Sequence, residues 1–242
     1  MNIRMTIQYD GTDFHGSQIQ PNVRTVQEEL EKCLFELFGT KVLTIFSGRT
    51  DSGVHAKKQT INFKIDSTPI PPDKIIHPLN NILPKDILAL NSEIVSDDFN
   101  SRFNAKKRIY RYFIRSTHDI FRNRYSLIHP HTIDLDQFNS WAKIFIGEKD
   151  FQSFCSAKSE VKHYVCNITE LKFFKQDDEV VMEIHANRFL HNMVRIIVSS
   201  FMEMNRNDLS VDNIKTILET KDRRNAPKTI SPKGLFLWEV IY

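Results

Sequence analysis

The chain has 242 residues, 40% of them hydrophobic and 26% charged, with a formal net charge of +3. That is the balance of an ordinary soluble protein with room for one large domain or two small ones. No apolar run approaches the ~20 residues that span a bilayer, and the N-terminus lacks the basic and then apolar stretches of a secretory leader. The three cysteines lack metal spacing, so the expectation is a reduced, cytoplasmic protein with no metal and no membrane.

Taken in order, the pattern alternates between strand and helix. Ile3, Met5, Ile7 and Tyr9 share one face of a first strand. Thr25 with Glu28 reads as a capping box for a helix to Phe38, striped by Val26, Leu30, Leu34 and Leu37 and ended by Gly39. Short strands are predicted over 42–46 and 59–65, a loop over 66–72, a helix from about Asp73 to Ile82, and a strand over 87–95. The second half starts with a strand over 108–115, in which Tyr110, Tyr112 and Ile114 face one way and Ile109, Arg111 and Phe113 the other. A mixed surface excursion fills 116–133, and Asp134 with Gln137 caps a helix that buries Phe138, Trp141 and Phe145. Strands over 164–174 and 180–186 precede a long helix from about Phe189 to Met204. A last helix is capped by Ser210, and the final strand runs over 235–242. The expected fold is α+β, two related α/β subdomains (1–100 and 101–242), with mainly antiparallel pairing.

Between two of these strands the chain reads Gly48-Arg49-Thr50-Asp51-Ser52-Gly53-Val54-His55-Ala56. Glycine adopts positive φ without penalty and lets another backbone come close, so Gly48 and Gly53 permit a sharp turn facing a ligand. Asp51 has Arg49 two positions before it, an arrangement that suits an ionised nucleophile or base. A short G-R-x-D stretch alone is more often a hairpin loop with a surface ion pair. The whole string is more specific: it resembles the G-R-T-D-A-G-V-H-A motif of the TruA family of tRNA pseudouridine synthases and departs from it only at Ser52.

The resemblance continues in register along the chain. Tyr9-Asp10-Gly11 with Gly16 is similar to the family's opening Y-D-G-x-x-x-x-G, and Thr25-Val26-Gln27-Glu28 to its S-V-Q-E. Leu79-Asn80 with Leu83-Pro84 and Asp86-Ile87 resembles L-N…L-P-x-D-I, and residues 103–112 resemble F-S-A-x-x-x-x-Y-x-Y. Residues 150–154 match D-F-x-S-F, residues 187–195 match N-x-F-L-x-x-M-V-R, and Gly234-Leu235-Phe236-Leu237 resembles the closing G-L-Y/F-L.

This resemblance implies the pseudouridine synthase fold, in which the two subdomains share one sheet around a central cleft, and a homodimer. It implies isomerisation of uridines 38 to 40 in the tRNA anticodon stem-loop, with no cofactor. It makes Asp51 the catalytic carboxylate and Tyr110 the active-site tyrosine. Arg49 and Arg195 are candidates to pair with Asp51 and bind substrate. Arg195 falls opposite the Phe189–Met193–Ile197 stripe of the predicted long helix, among Arg188, His191 and Asn192. His55 is read as structural to the turn. Lys57, Lys58, Lys106, Arg108 and Arg111 lie in local basic clusters suited to the RNA backbone. Ser17 stands where the family has Trp, in a loop expected to touch RNA. Within 158–166 the usual Arg-Thr is missing, so no functional residue is carried over there. Two other readings compete: a metal-dependent nuclease or phosphotransferase using Asp10, Asp13 and Asp51 as Mg²⁺ ligands, and a non-catalytic tRNA-binding or folding factor on the same scaffold.

Overall fold

The computed structural model describes residues 1–242 except Lys158, Glu160 and Asp208, two of which lie in the 158–166 stretch. In chain order the elements are β1 (Asn2–Tyr9), α1 (Val26–Phe38), β2 (Thr44–Phe46), β3 (His55–Lys64), α2 (Ile76–Ile82), β4 (Ile87–Val95), β5 (Lys107–Arg115) and β6 (Leu127–Ile128). Then come α3 (Leu135–Ala142), β7 (Gly147–Asp150), β8 (Val165–Gln176), β9 (Glu179–Ala186), α4 (Met193–Asn207), α5 (Val211–Thr220) and β10 (Leu235–Ile241). The chain forms two compact units, one of residues 1–106 with 236–242 and one of 107–235.

In the first unit the strand order is β4-β1-β3-β10, with β2 also on β3. All these pairs are antiparallel except β3 with β10, where Phe236 lies opposite His55 and Leu237 opposite Ala56. The alternation in β1 does what its pattern dictates: Ile3, Met5, Ile7 and Tyr9 are all buried, together with Leu30 and Leu34 of α1 and Ile61 and Phe63 of β3. The Thr25 hydroxyl accepts the Glu28 amide at the start of α1, and Gly39 closes that helix in the left-handed region.

In the second unit β5, β9, β8 and β7 follow one another as antiparallel neighbours, and β6 runs parallel to β5. Its core is aromatic: Phe138, Trp141, Phe145 and Phe173 converge on Phe201 of α4. The mainly antiparallel α+β architecture is as expected, with two departures. First, α4 begins at Met193 rather than Phe189, because Asn192 sits at φ +64°. That is the left-handed conformation asparagine tolerates better than other non-glycine residues. Second, Ser210 holds the N-cap position of α5 without a side-chain cap bond. The β5 strand, with Tyr110, Tyr112 and Ile114 on one face and Ile109 and Phe113 on the other, is buried on both.

Candidate active site

The nine-residue string forms the approach to β3, and the first unit builds a cradle beneath it. Asp51 begins a turn closed by the Val54 amide on its own carbonyl at 3.1 Å. Gly53 is the third residue of that turn at φ +75°, the sign a type II turn demands there. Gly48 does something else: its φ is not positive, and a Cβ placed on it would meet nothing within 4 Å. Its backbone lies beside open space, and its carbonyl is held by Gln59 Nε2 at 2.9 Å.

The Tyr-Asp-Gly segment supplies the rest of the cradle. The Tyr9 hydroxyl meets Thr50 Oγ1 at 2.8 Å, and burial pushes its pKa up to about 12 even though Thr50 and Gln59 partly offset it. It therefore stays protonated at neutral pH. Ser17 grips Thr50 twice, its Oγ accepting the Thr50 amide at 2.9 Å and its own amide donating to the Thr50 carbonyl at 3.1 Å. The Phe14 carbonyl accepts from the Gly53 amide and from Ser52 Oγ, both at 3.2 Å. Arg24 covers the Phe14 ring at 4.2 Å while its guanidinium takes both oxygens of Asp86. Gly11 packs so close that a Cβ there would sit 2.0 Å from the Val54 carbonyl oxygen.

Ser17 is 1% exposed and seats the Asp51 turn from beneath, while Gln18, Ile19 and Gln20 of the same loop are exposed. One expectation changes here. Arg49 is exposed, and among the described residues no hydrogen bond or ion pair joins it to Asp51. The reason is local: the Thr50 side chain turns inward to Tyr9, and the arginine beside it is left pointing at solvent. His55 is structural as read. It is buried, its Nδ1 accepts the Gly11 amide at 3.0 Å, and its ring stacks on Phe236 at 4.5 Å. Asp10 Oδ1 lies 3.1 Å from the same nitrogen.

The second unit positions the other candidates. Tyr110, 8% exposed in β5 opposite Ile184, meets the Phe189 ring edge-on at 5.1 Å. Arg195 is half-buried in the first turn of α4, donating from Nε to the Ile230 carbonyl at 2.8 Å and from a terminal nitrogen to Asn192 Oδ1 at 2.8 Å. Because the helix starts at Met193, Arg188 and His191 are not its helical neighbours. The Tyr112 hydroxyl donates to the Ser231 carbonyl at 2.7 Å, and its pKa is raised by burial despite the nearby Arg195.

The basic candidates divide. Lys57 and Lys106 are exposed, and Lys58 pairs with Glu239 at 2.7 Å. Arg108 donates to the Asn187 carbonyl at 2.8 Å. Arg111 pairs with the buried Glu183 at 2.6 Å, which makes it a structural cation of the sheet. Among the described residues no group of three or more His, Cys, Asp or Glu side chains is gathered as a metal ion would need. The metal-dependent reading of Asp10, Asp13 and Asp51 therefore has no assembled ligand set. No helix among the described residues is long and apolar enough to cross a membrane.

A sequence profile described as tRNA pseudouridine synthase matches residues 5–104 and 141–242. The chain belongs to the tRNA pseudouridine synthase family. Proteins named tRNA pseudouridine synthase A resemble it over their full length. That of Clostridium acetobutylicum is 42% identical over 243 residues, covering 100% of this chain and 99% of the relative. That of Bacillus subtilis is 42% identical over 246 residues with the same coverage, and that of Exiguobacterium sibiricum 40% over 239, covering 99% and 96%. Family membership brings the pseudouridine synthase fold with it. Asp51 and Arg195 fall inside the matched stretches, while Tyr110 lies in the unmatched 105–140 segment. Sequence reasoning missed the supporting roles of Tyr9, Phe14 and Ser17. The Y-D-G string located these residues without saying what they hold.

Proposed function

We propose that this protein is a tRNA pseudouridine synthase that isomerises uridines 38 to 40 of the anticodon stem-loop, with Asp51 as the catalytic carboxylate. The observation that carries the reading is a half-exposed aspartate on a turn whose backbone is pinned from beneath, in a chain 42% identical to synthases over its whole length. In the reaction the N1–C1′ bond breaks, a C5–C1′ bond forms, and C5 gives up a proton while N1 gains one. Nothing is oxidised or reduced overall, so the reaction calls for no redox partner. Asp51 can attack C1′, add to C6 or take the 2′ proton, and each route needs a carboxylate fixed in place.

Tyr110 holds the uracil by stacking and through its hydroxyl while the base turns. Arg195 binds the substrate as a cation with several donors. Arg49, exposed next to Asp51, reaches the substrate backbone. Lys57, Lys58, Lys106 and Arg108 grip phosphates, which offsets the few kcal/mol needed to extrude a paired uridine. Arg111 contributes there only if it leaves Glu183. The protein acts in the cytoplasm as a homodimer, a state that sedimentation would read.

The test is pseudouridine formation on an unmodified tRNA transcript with EDTA present, wild type against Asp51→Asn. Product at positions 38 to 40 from the wild type and none from the variant, with tRNA binding kept by both, is the expected result. Binding without product from the wild type would overturn the reading in favour of a non-catalytic tRNA-binding factor.

A further inference from the structure

The excursion between β5 and β6 carries a feature that the proposed chemistry leaves unused. Asp119, Ile120, Phe121 and Arg122 form a β-turn, closed by the Arg122 amide on the Asp119 carbonyl at 3.2 Å and by Asp119 Oδ1 accepting the Phe121 amide at 2.8 Å. An aspartate in the first position suits such a turn, but its two corners normally hold proline, glycine or small polar residues. Here they hold Ile120 and Phe121, which are 72% and 84% exposed.

The turn is firmly mounted. Arg115, 6% exposed at the end of β5, reaches Asp119 at 3.3 Å and also pairs with Asp178. Arg122 reaches the buried Glu179 at 3.4 Å, the Tyr125 amide returns to the Arg122 carbonyl at 2.9 Å, and Lys233 holds Asn123 Oδ1 at 3.2 Å. Buried charges used to hold a surface turn are costly to assemble, and the result is a rigid tip displaying two large apolar side chains. Around that tip the sequence is cationic: residues 115–126 carry three arginines against one aspartate.

We propose that this turn is a second RNA contact, remote in sequence from Asp51. Phe121 stacks on an unpaired tRNA base, Ile120 packs beside it, and Arg122, Arg124 and Lys233 face the neighbouring phosphates. An aromatic platform flanked by cations is the common way proteins hold single-stranded nucleic acid. Hydrogen bonds and ion pairs already hold the turn's backbone, so binding need not order that backbone. The inference rests on tRNA being the substrate.

The test is the affinity of the full-length protein for an unmodified tRNA transcript at fixed salt, with Phe121→Ala, Phe121→Tyr and Arg124→Gln beside the wild type. Loss of one base–aromatic stack is expected to weaken Kd and raise KM about tenfold in Phe121→Ala, with kcat at saturating tRNA within about twofold. Phe121→Tyr keeps the platform and should bind like the wild type. Arg124→Gln should flatten the salt dependence by about one phosphate contact. Unchanged affinity in Phe121→Ala would overturn the inference. So would a change in oligomeric state with RNA affinity intact, which would make the turn a contact between copies of the chain. Since binding and product formation are read separately, wild-type binding without pseudouridine would sink the proposed reaction and leave this contact to be decided by Kd.

Discussion

Ser17→Ala tests whether the cradle under the Asp51 turn does what its geometry implies. The substitution removes one atom, the Oγ that accepts the Thr50 amide at 2.9 Å, and leaves the Ser17 amide on the Thr50 carbonyl in place. Ser17 is 1% exposed, so water cannot take over as acceptor, and a buried donor left unpaired costs about 1–3 kcal/mol. Taking the middle of that range, a domain of this size loses about 4–8 °C in Tm. The catalytic effect is separate. Thr50 precedes Asp51, and a misplacement of about 1 Å can cost roughly a hundredfold in rate, so kcat should fall at least tenfold while KM moves little. The assays are a thermal melt followed by circular dichroism and single-turnover pseudouridine formation at saturating tRNA. A melt within 1 °C of wild type together with an unchanged single-turnover rate would refute the claim that Ser17 seats the turn.

Three other substitutions probe the same packing. Gly11→Ala puts a methyl group 2.0 Å from the Val54 carbonyl oxygen, a backbone clash that should cost at least about 3 kcal/mol; soluble expression with a wild-type melt would contradict it. Arg111→Met strips the buried Glu183 of its 2.6 Å partner and leaves Lys172 at 3.1 Å, so urea unfolding at pH 7 should show a loss of about 2 kcal/mol. Burial alone would raise the Glu183 carboxyl, but Arg111 and Lys172 outweigh it and hold the carboxyl below its usual range. Its stabilising contribution is therefore fully present above the unfolded value of about 4.3 and fades as the pH falls through the lower folded value. The gap between wild type and Arg111→Met should accordingly narrow on acidification below pH 4, and a gap independent of pH would exclude this origin. Phe236→Ala removes the ring stacked on His55 at 4.5 Å; about 2–3 kcal/mol of stability should go with it, along with activity at the temperature of the assay, and an unaltered melt would show the stack to be incidental.

Much of the fold was legible because burial imposed a period on the sequence. Ile3, Met5, Ile7 and Tyr9 alternate because β1 buries one face, and Phe138, Trp141 and Phe145 are spaced by the core they fill. The start of α4 was not legible for a related reason. Phe189 continues the apolar spacing of Met193 and Ile197, so periodicity extends the helix backwards. What stops it is the φ of Asn192, a conformation that leaves no trace in hydrophobic spacing. Arg49 was not legible for the same kind of reason, because proximity to Asp51 in sequence says nothing of which side of an irregular loop a side chain takes. Asp51 itself was found through its motif, not through anything its surroundings betray in the sequence.

The support of that aspartate is assembled from segments that are far apart along the chain. Residues 9–17 lie under the turn, Gln59 holds its entry, and Phe236 covers His55 at its exit through the parallel pairing of β10 with β3. Parallel pairing between residues so distant in sequence closes a long loop, and its entropy must be spent before the contact yields anything in return. The Asp51 turn thus cannot be fixed by its own hairpin. β1 and β3 can pair early, since their register joins residues 2–9 with 56–64, and they bring Tyr9 and Ser17 to Thr50. The stack of Phe236 on His55 must wait until the last strand has docked. A carboxylate mounted this way becomes ordered only once the first unit is complete, because Tyr9 to Ser17, the 48–56 turn and Phe236 have to meet before its backbone is held from beneath and at its exit.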